Sequence, residues 1–105
     1  MKIINTLIFC ASVASVYPSM ATEIVTPIGA GCDTEDGTCY VILRENLVSS
    51  NCQYKNQLRL DPNKKGSKSQ YSTGLAAFMG GKKLVVEVNG CHQNHPAPSF
   101  FYVID

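Results

Sequence analysis

The segment Cys91-His92-Gln93-Asn94-His95 carries the side chains best suited to binding a metal ion. It places a thiol beside two imidazoles that are three residues apart, and sulfur and imidazole nitrogen are the ligands that zinc prefers. A zinc site needs further ligands, and none cluster nearby in the sequence. In an exported protein Cys91 is more typical of a disulfide. We therefore expect solvated loop histidines, no metal and no cofactor.

Two serines and three carboxylates are the candidates for catalysis. Ser72 or Ser99 could act as a nucleophile with a histidine, but the sequence contains no Gly-x-Ser-x-Gly motif. Asp33, Glu35 and Asp36 fall within a single turn, a pattern more typical of a solvated acidic loop than of an acid/base pair. We therefore expect that the protein is not an enzyme.

Five lysines bracket the segment that we predict as a helix. They could form a basic rim for a negatively charged partner, such as a sialylated glycan or an acidic protein. The simpler interpretation is that they serve solubility and protect the start of a strand from pairing with other chains. The five are Lys64, Lys65, Lys68, Lys82 and Lys83.

Residues 1–21 have the order of a secretory signal peptide. Lys2 precedes an apolar run, and small side chains at Ser19 and Ala21 fit the −3 and −1 positions of signal peptidase. The run is shorter than the about 20 residues of a membrane span, so we expect no transmembrane segment. We predict cleavage after Ala21, a secreted or periplasmic location, and a single domain over residues 22–105.

Removing this segment changes the charge balance of the chain. Because Lys2 is lost, the nine basic residues become eight, which equals the number of acidic residues. Nucleic-acid-binding proteins normally carry a clear basic excess. We therefore expect no nucleic-acid partner.

The remaining cysteines predict two disulfides. Cys10 leaves with the signal peptide, and four cysteines remain, a number that allows three pairings. We predict that Cys32 pairs with Cys39 around a turn. We predict that Cys52 pairs with Cys91, which joins the start of the third predicted strand to the end of the fourth.

Apolar patterning predicts five strands, with one helix between the third and the fourth. The predicted strands are Thr22–Ile28, Tyr40–Leu43, Tyr54–Leu60, Lys82–Val88 and Phe100–Ile104. We predict a loop over His92–Pro98, which contains two prolines. The fold class is mainly β with one helix, and the element order favours an OB-fold-like five-stranded barrel. An open α+β sheet covered by one helix has the same order and is the alternative.

The predicted helix has one apolar stripe. Tyr71, Leu75, Phe78 and Met79 recur at helical spacing, so we expect Leu75 and Phe78 to be buried against the sheet. A serine, Ser67 or Ser69, could cap the first turn. Gly80-Gly81 should end the helix, because glycine accepts the left-handed conformation of a C-cap.

One set of residues in the second half of the chain matches the pattern of a known family in register and without gaps: Leu75, Ala77, Gly81, Asn89, Cys91 and His92. On these residues the stretch from Leu75 to Ile104, about the last third of the chain, resembles the B subunits of Shiga-type toxins. The closing strand fits after an insertion of about two residues, and the family's sugar-binding tryptophan corresponds to Lys68, so no sugar-binding residue is carried over. The resemblance implies a host glycan as ligand, a homo-pentamer and a toxin A subunit as partner.

These observations predict a secreted, non-catalytic binding module that recognises a glycan or a protein on a host cell surface. The alternative is a solitary small secreted or periplasmic protein with a structural or inhibitory role and no toxin partner. We expect the binding residues on two polar loops. They are Asn63, Lys64, Lys65 and Lys68 on one loop, and His92, Gln93 and Asn94 on the other.

Overall fold

The computed structural model describes residues 21–105. Apart from Ala21, the predicted signal peptide lies outside the described residues. The elements in chain order are β1 (Thr22–Val25), β2 (Pro27–Cys32), β3 (Cys39–Leu43), β4 (Gln57–Leu60), α1 (Ser67–Gly80), β5 (Lys83–His92) and β6 (His95–Ile104).

The strands form two separate three-stranded antiparallel sheets, with the orders β1-β5-β6 and β2-β3-β4. The predicted OB-fold-like barrel of five strands is therefore wrong. Six strands are present in residues 21–105, they do not close into a barrel, and α1 follows the fourth strand rather than the third. The prediction of mainly β structure with one helix agrees with these elements.

The barrel prediction fails because the first predicted strand is divided at Thr26. The backbone N–H and the hydroxyl of Thr26 donate to the Glu45 carboxylate at 2.7 and 2.8 Å, and its carbonyl accepts from Arg44 N–H at 2.9 Å. Because these groups bond to the loop after β3, Thr26 pairs with no strand of either sheet. The chain before it pairs with β5, and the chain after it pairs with β3.

The core lies between the two sheets and α1. Every strand except β2 contributes aliphatic or aromatic side chains to it, and the loop after β3 adds Leu47. The alternation predicted for β4 and β5 is confirmed. Leu58 and Leu60 of β4 and Leu84 and Val86 of β5 are buried in this core, and the residues between them are more exposed. The buried set is Val25, Val41, Leu43, Leu47, Leu58, Leu60, Ala77, Leu84, Val86 and Phe101.

The helix presents a different face to the core from the one predicted. Its buried residues are Ser67, Gly74 and Ala77, while Leu75 and Phe78 are each 37% exposed. The predicted burial of Leu75 and Phe78 is therefore wrong. The apolar stripe flanks the contact instead of forming it.

Close approach of the helix backbone explains this rotation. A Cβ atom on Gly74 would lie 2.6 Å from Cγ2 of Val41 and 3.6 Å from the Phe101 ring. Val41 belongs to one sheet and Phe101 to the other, so Gly74 lies where both sheets contact α1. Only small residues fit at this distance, and larger apolar side chains are displaced to the sides.

The prediction for the helix ends is correct only at the C-terminal end. Gly81 adopts the left-handed conformation, with φ of 66°, and ends the helix as expected. At the other end Gly66 is the N-cap, and no side chain caps the first turn. The prediction of a serine cap is wrong, because the Ser67 hydroxyl donates to the Asp61 carbonyl instead.

The segment predicted as a loop over His92–Pro98 is part of a long hairpin. β5 continues to His92, and β6 begins at His95. The two residues between them, Gln93 and Asn94, have φ of 54° and 66°, which is the turn geometry that matches strand twist. The prolines are tolerated because β6 is an edge strand.

Gly74→Ala should destabilise the protein. The new methyl group would overlap Val41, and overpacking of a core costs about 1–3 kcal/mol. This cost exceeds the gain in helix propensity of about 1 kcal/mol. Gly80→Ala is the matched control, because its Cβ would lie 3.5 Å from the nearest atom. Chemical denaturation of both variants measures the difference, and equal stabilities would contradict the proposed contact.

Glu45→Gln should reduce the acid sensitivity of folding. Burial raises the pKa of Glu45, but hydrogen bonds from Thr26 outweigh this and hold the pKa below its ordinary value of 4.5. A lowered pKa in the folded state stabilises the protein above the unfolded pKa, and this stability is lost as the pH falls through the folded pKa.

The wild type should therefore exceed Glu45→Gln in unfolding free energy by about 1 kcal/mol at pH 7. The gap should narrow below the ordinary pKa of 4.5. Urea denaturation at pH 7 and at pH 3 measures it, with exposed Glu35→Gln as the control. A gap of the same size at both pH values would show that the Glu45 carboxylate does not act through its charge.

Candidate functional site

The loop between β4 and α1 is a compact turn organised by Asp61. The Asp61 carboxylate accepts from Asn63 N–H at 2.9 Å, and its carbonyl accepts from Lys64 N–H at 3.0 Å. These bonds leave Asn63, Lys64 and Lys65 exposed. The sequence predicts this loop correctly as polar, and the structure places clefts on both sides of it.

The first cleft lies between this loop and the β5–β6 hairpin and has a volume of about 390 Å³. Three cationic side chains line it, with Asp61 as the acidic residue of its wall. Amide and hydroxyl side chains that can both donate and accept hydrogen bonds also line it, together with Leu60, Ala97 and Pro98. The cations are Arg59, Lys64 and Lys65, and the neutral polar residues are Ser67, Gln70, Asn89 and Ser99.

The second cleft lies on the other side of the loop and has a volume of about 330 Å³. It brings together all four residues predicted on this loop and at the start of the helix. Its walls are less polar than those of the first cleft, and Pro62 and Cys39 contribute to them. The four predicted residues are Asn63, Lys64, Lys65 and Lys68.

The other predicted residues, His92, Gln93 and Asn94, lie outside both clefts. They form the tip of the β5–β6 hairpin, which contacts the loop closed by Cys32 and Cys39. Gln93 Nε2 donates to Asp36 at 2.6 Å, and His92 Nε2 lies 3.1 Å from the Thr38 hydroxyl. The structure therefore divides the predicted site into two groups.

Arg59 connects the two groups. Its guanidinium donates to Asp33 at 3.0 Å and to Gln93 at 2.6 Å, while it also lines the first cleft. The guanidinium lies 4.9 Å from the centre of the Tyr40 ring, in cation–π geometry. Arg59 is not among the binding residues predicted from the sequence. The available signal was the alternation of β4, where Arg59 points away from buried Leu58 and Leu60.

Opposite charges lie on the two sides of Arg59. Lys64 and Lys65 are at the first cleft, whereas Asp33, Glu35 and Asp36 line a concavity beside Gln93. A hydrogen bond from Thr38 N–H is the main cause that lowers the pKa of Asp36, and the Thr38 hydroxyl and Gln93 add to it. The ionised carboxylate therefore bonds to the hairpin tip and to its own loop.

The two histidines are engaged in contacts within the fold. His95 Nδ1 lies 2.7 Å from the Gln93 carbonyl, which can only accept, so this nitrogen donates. The His95 ring stacks on Tyr54 with centroids 5.0 Å apart. Among residues 21–105, no cluster of three or more His, Cys, Asp or Glu side chains is arranged to hold a metal ion.

The candidate serine nucleophiles bond to groups other than histidine. The Ser72 hydroxyl donates to the Lys68 carbonyl at 3.2 Å. The Ser99 hydroxyl donates to the Glu87 carboxylate at 2.8 Å. The geometry of these two serines therefore matches a role in local hydrogen bonding.

Both predicted disulfides are confirmed. Cys32 pairs with Cys39, and Cys52 pairs with Cys91, with Cα–Cα distances of 3.9 and 5.9 Å. The first closes the acidic loop, and the second holds the loop before β4 against β5. Two disulfides are compatible with a secreted or periplasmic protein. No helix within the described part of the chain is long and apolar enough to cross a membrane.

Comparison with known proteins gives no match: neither a family model, nor a curated protein, nor a solved structure is significantly similar to this chain.

Arg59→Met should loosen the hairpin tip while the core stays folded. The variant keeps an unbranched side chain but loses the bonds to Asp33 and Gln93. Arg59 is partly exposed, so the loss is about 1 kcal/mol, which corresponds to roughly fivefold faster local opening.

Amide hydrogen exchange measures this effect. Residues 33–38 and 92–95 should exchange faster in Arg59→Met, while the amides of the buried part of β5 change little. Exposed Arg44→Met is the control. Unchanged exchange at 92–95 would show that Arg59 does not hold the tip.

Proposed function

We propose that this protein is an exported, non-catalytic binding module that recognises a surface glycan carrying an acidic group. The observation that carries the proposal is the first cleft, where Arg59, Lys64 and Lys65 surround a space of about 390 Å³. The proposal includes export by a signal peptide cleaved after Ala21. The purified protein should then begin at Thr22, as N-terminal sequencing would detect.

The chemistry of the cleft matches an acidic sugar in two respects. Ammonium and guanidinium groups form strong charge-assisted hydrogen bonds with carboxylate or sulfate. Sugar hydroxyls both donate and accept, as do the amides of Gln70 and Asn89 that line the same cleft. A cleft that offers both kinds of group discriminates acidic sugars from neutral ones.

Several linked copies would give such a module useful affinity. A single open cleft of mixed polarity binds a sugar weakly, and linked sites raise the apparent affinity without new contacts. The resemblance to Shiga-type B subunits suggests a ring of five copies with a toxin A subunit, and we include this assembly in the proposal.

Binding to an array of glycans tests the proposal. The oxidised, exported protein should bind sialylated or sulfated glycans and should lose binding after removal of the acidic group. Lys64→Gln and Lys65→Gln should each weaken binding about tenfold, since a hydrogen bond to a charged group contributes about 1.5 kcal/mol.

Lys55→Gln is the matched control. This substitution removes the same charge, but Lys55 lies outside the cleft. Equal losses in all three variants would indicate a general charge effect rather than a site. Absence of binding to any glycan and to host cells, with the native mass of one chain, would favour the solitary structural or inhibitory protein.

A further inference from the structure

The middle of the outer face of the β1-β5-β6 sheet is apolar, and residues 21–105 leave it exposed. Strand register aligns Ile24, Val85 and Tyr102 in one row across the three strands. Ile24 is 59% exposed and Tyr102 is 51% exposed. On the opposite face of the same sheet, Leu84 and Val86 are buried in the core. The sheet therefore has a second apolar face that the described chain does not cover.

Opposite charges flank the central row on its two sides. On one side register pairs Glu87 with Phe100, and on the other it pairs Lys83 with Ile104. The Phe100 ring stacks parallel to that of Tyr102, with centroids 6.4 Å apart. The Glu87 carboxylate is oriented by the hydroxyl of Ser99 at 2.8 Å. Each flanking row thus contains one charged residue on β5 and one apolar residue on β6.

This pattern of charged and apolar rows is complementary to the same pattern on a second copy of the chain. A two-fold axis along the central row places that row against the same row of a second copy. It also places Lys83 opposite Glu87 of the second copy, and Phe100 opposite Ile104. An axis along the strands would instead place Lys83 against Lys83. The charge pattern therefore selects the first axis, and an interface of this kind uses the same patch on both copies.

We propose that the outer face of the β1-β5-β6 sheet binds a second copy of this chain about a two-fold axis through Val85. The two sheets then pack face to face about 10 Å apart, as in a β-sandwich. Aromatic and aliphatic side chains are withdrawn from water along the central row. The ion pairs at its margins set the orientation, because a reversed arrangement would oppose like charges.

The proposal does not depend on glycan binding. Lys64 and Lys65 belong to the loop between β4 and α1, and neither is on this sheet face. Variants of the face therefore test association, and variants of the loop test sugar binding. The two assemblies also differ in native mass: the two-fold contact alone gives two chains, and two five-copy rings joined by it give ten. One proposal can therefore fail while the other holds.

Charge reversal tests the two-fold contact. Lys83→Glu and Glu87→Lys should each halve the native mass of the oxidised protein in sedimentation velocity, because each opposes like charges. The double variant should restore the mass, since the pairs form again with their signs exchanged. Lys65→Glu is the control and should leave the mass unchanged. A wild-type protein with the mass of one chain, or a mass that neither reversal changes, would overturn the proposal.

A cysteine at the axis gives a second, independent test. Val85→Cys should be crosslinked between two copies by a short bis-maleimide reagent. Sheets about 10 Å apart hold the two Cα atoms too far apart for a disulfide, but the axis places the two thiols opposite each other. Ser72→Cys, on the exposed side of α1, should not form this link under the same conditions. A gel without reductant measures the linked fraction. Equal linking by both variants, or none by Val85→Cys, would overturn the proposed geometry.

Discussion

The contact of α1 with both sheets at Gly74 is the constraint on which the rest of the structure depends. Val41 and Phe101 come from different sheets, and both meet the helix where it has no side chain. One helix can therefore cover two small sheets at once. Interiors are packed at crystal-like density, so a wider helix face would separate the sheets. The two disulfides stabilise this small core from its margins by restricting the unfolded chain.

The position of the helix also determines where the clefts form. Because α1 must start beside β4, the short loop between them projects Lys64 and Lys65 from the end of the core. The long β5–β6 hairpin supplies the facing wall of the first cleft, which includes Asn89 and Ser99. Arg59 then links this cleft to the acidic loop. The separation of charge at this surface thus follows from where packing places the loop with Lys64 and Lys65 relative to the acidic loop.

Glu23 and Glu45 hold the loop between β3 and β4 in place through hydrogen bonds. Glu45 holds Thr26 at the break between β1 and β2, and Glu23 accepts hydrogen bonds from Val48 and Ser49. Burial raises the pKa of Glu23, but the hydrogen bonds from Ser49 and Val48 lower it to a value below the ordinary one. The first half of the loop between β3 and β4 is therefore attached to Thr26 through Glu45 and to β1 through Val48 and Ser49. This attachment lets Leu47 enter the core.

Local pattern by itself determined the strand alternation at Leu58 and Leu60, the helix end at Gly81, and the polar character of the loop with Lys64 and Lys65. Each of these depends on neighbours in the chain, and the short Cys32–Cys39 bridge does so as well. Only the tertiary structure decided the break at Thr26, the helix face at Gly74 and the role of Arg59, because their partners Glu45, Val41 and Gln93 are distant in sequence. Such partners are chosen by close packing and by the pairing of buried polar groups, which periodicity does not encode.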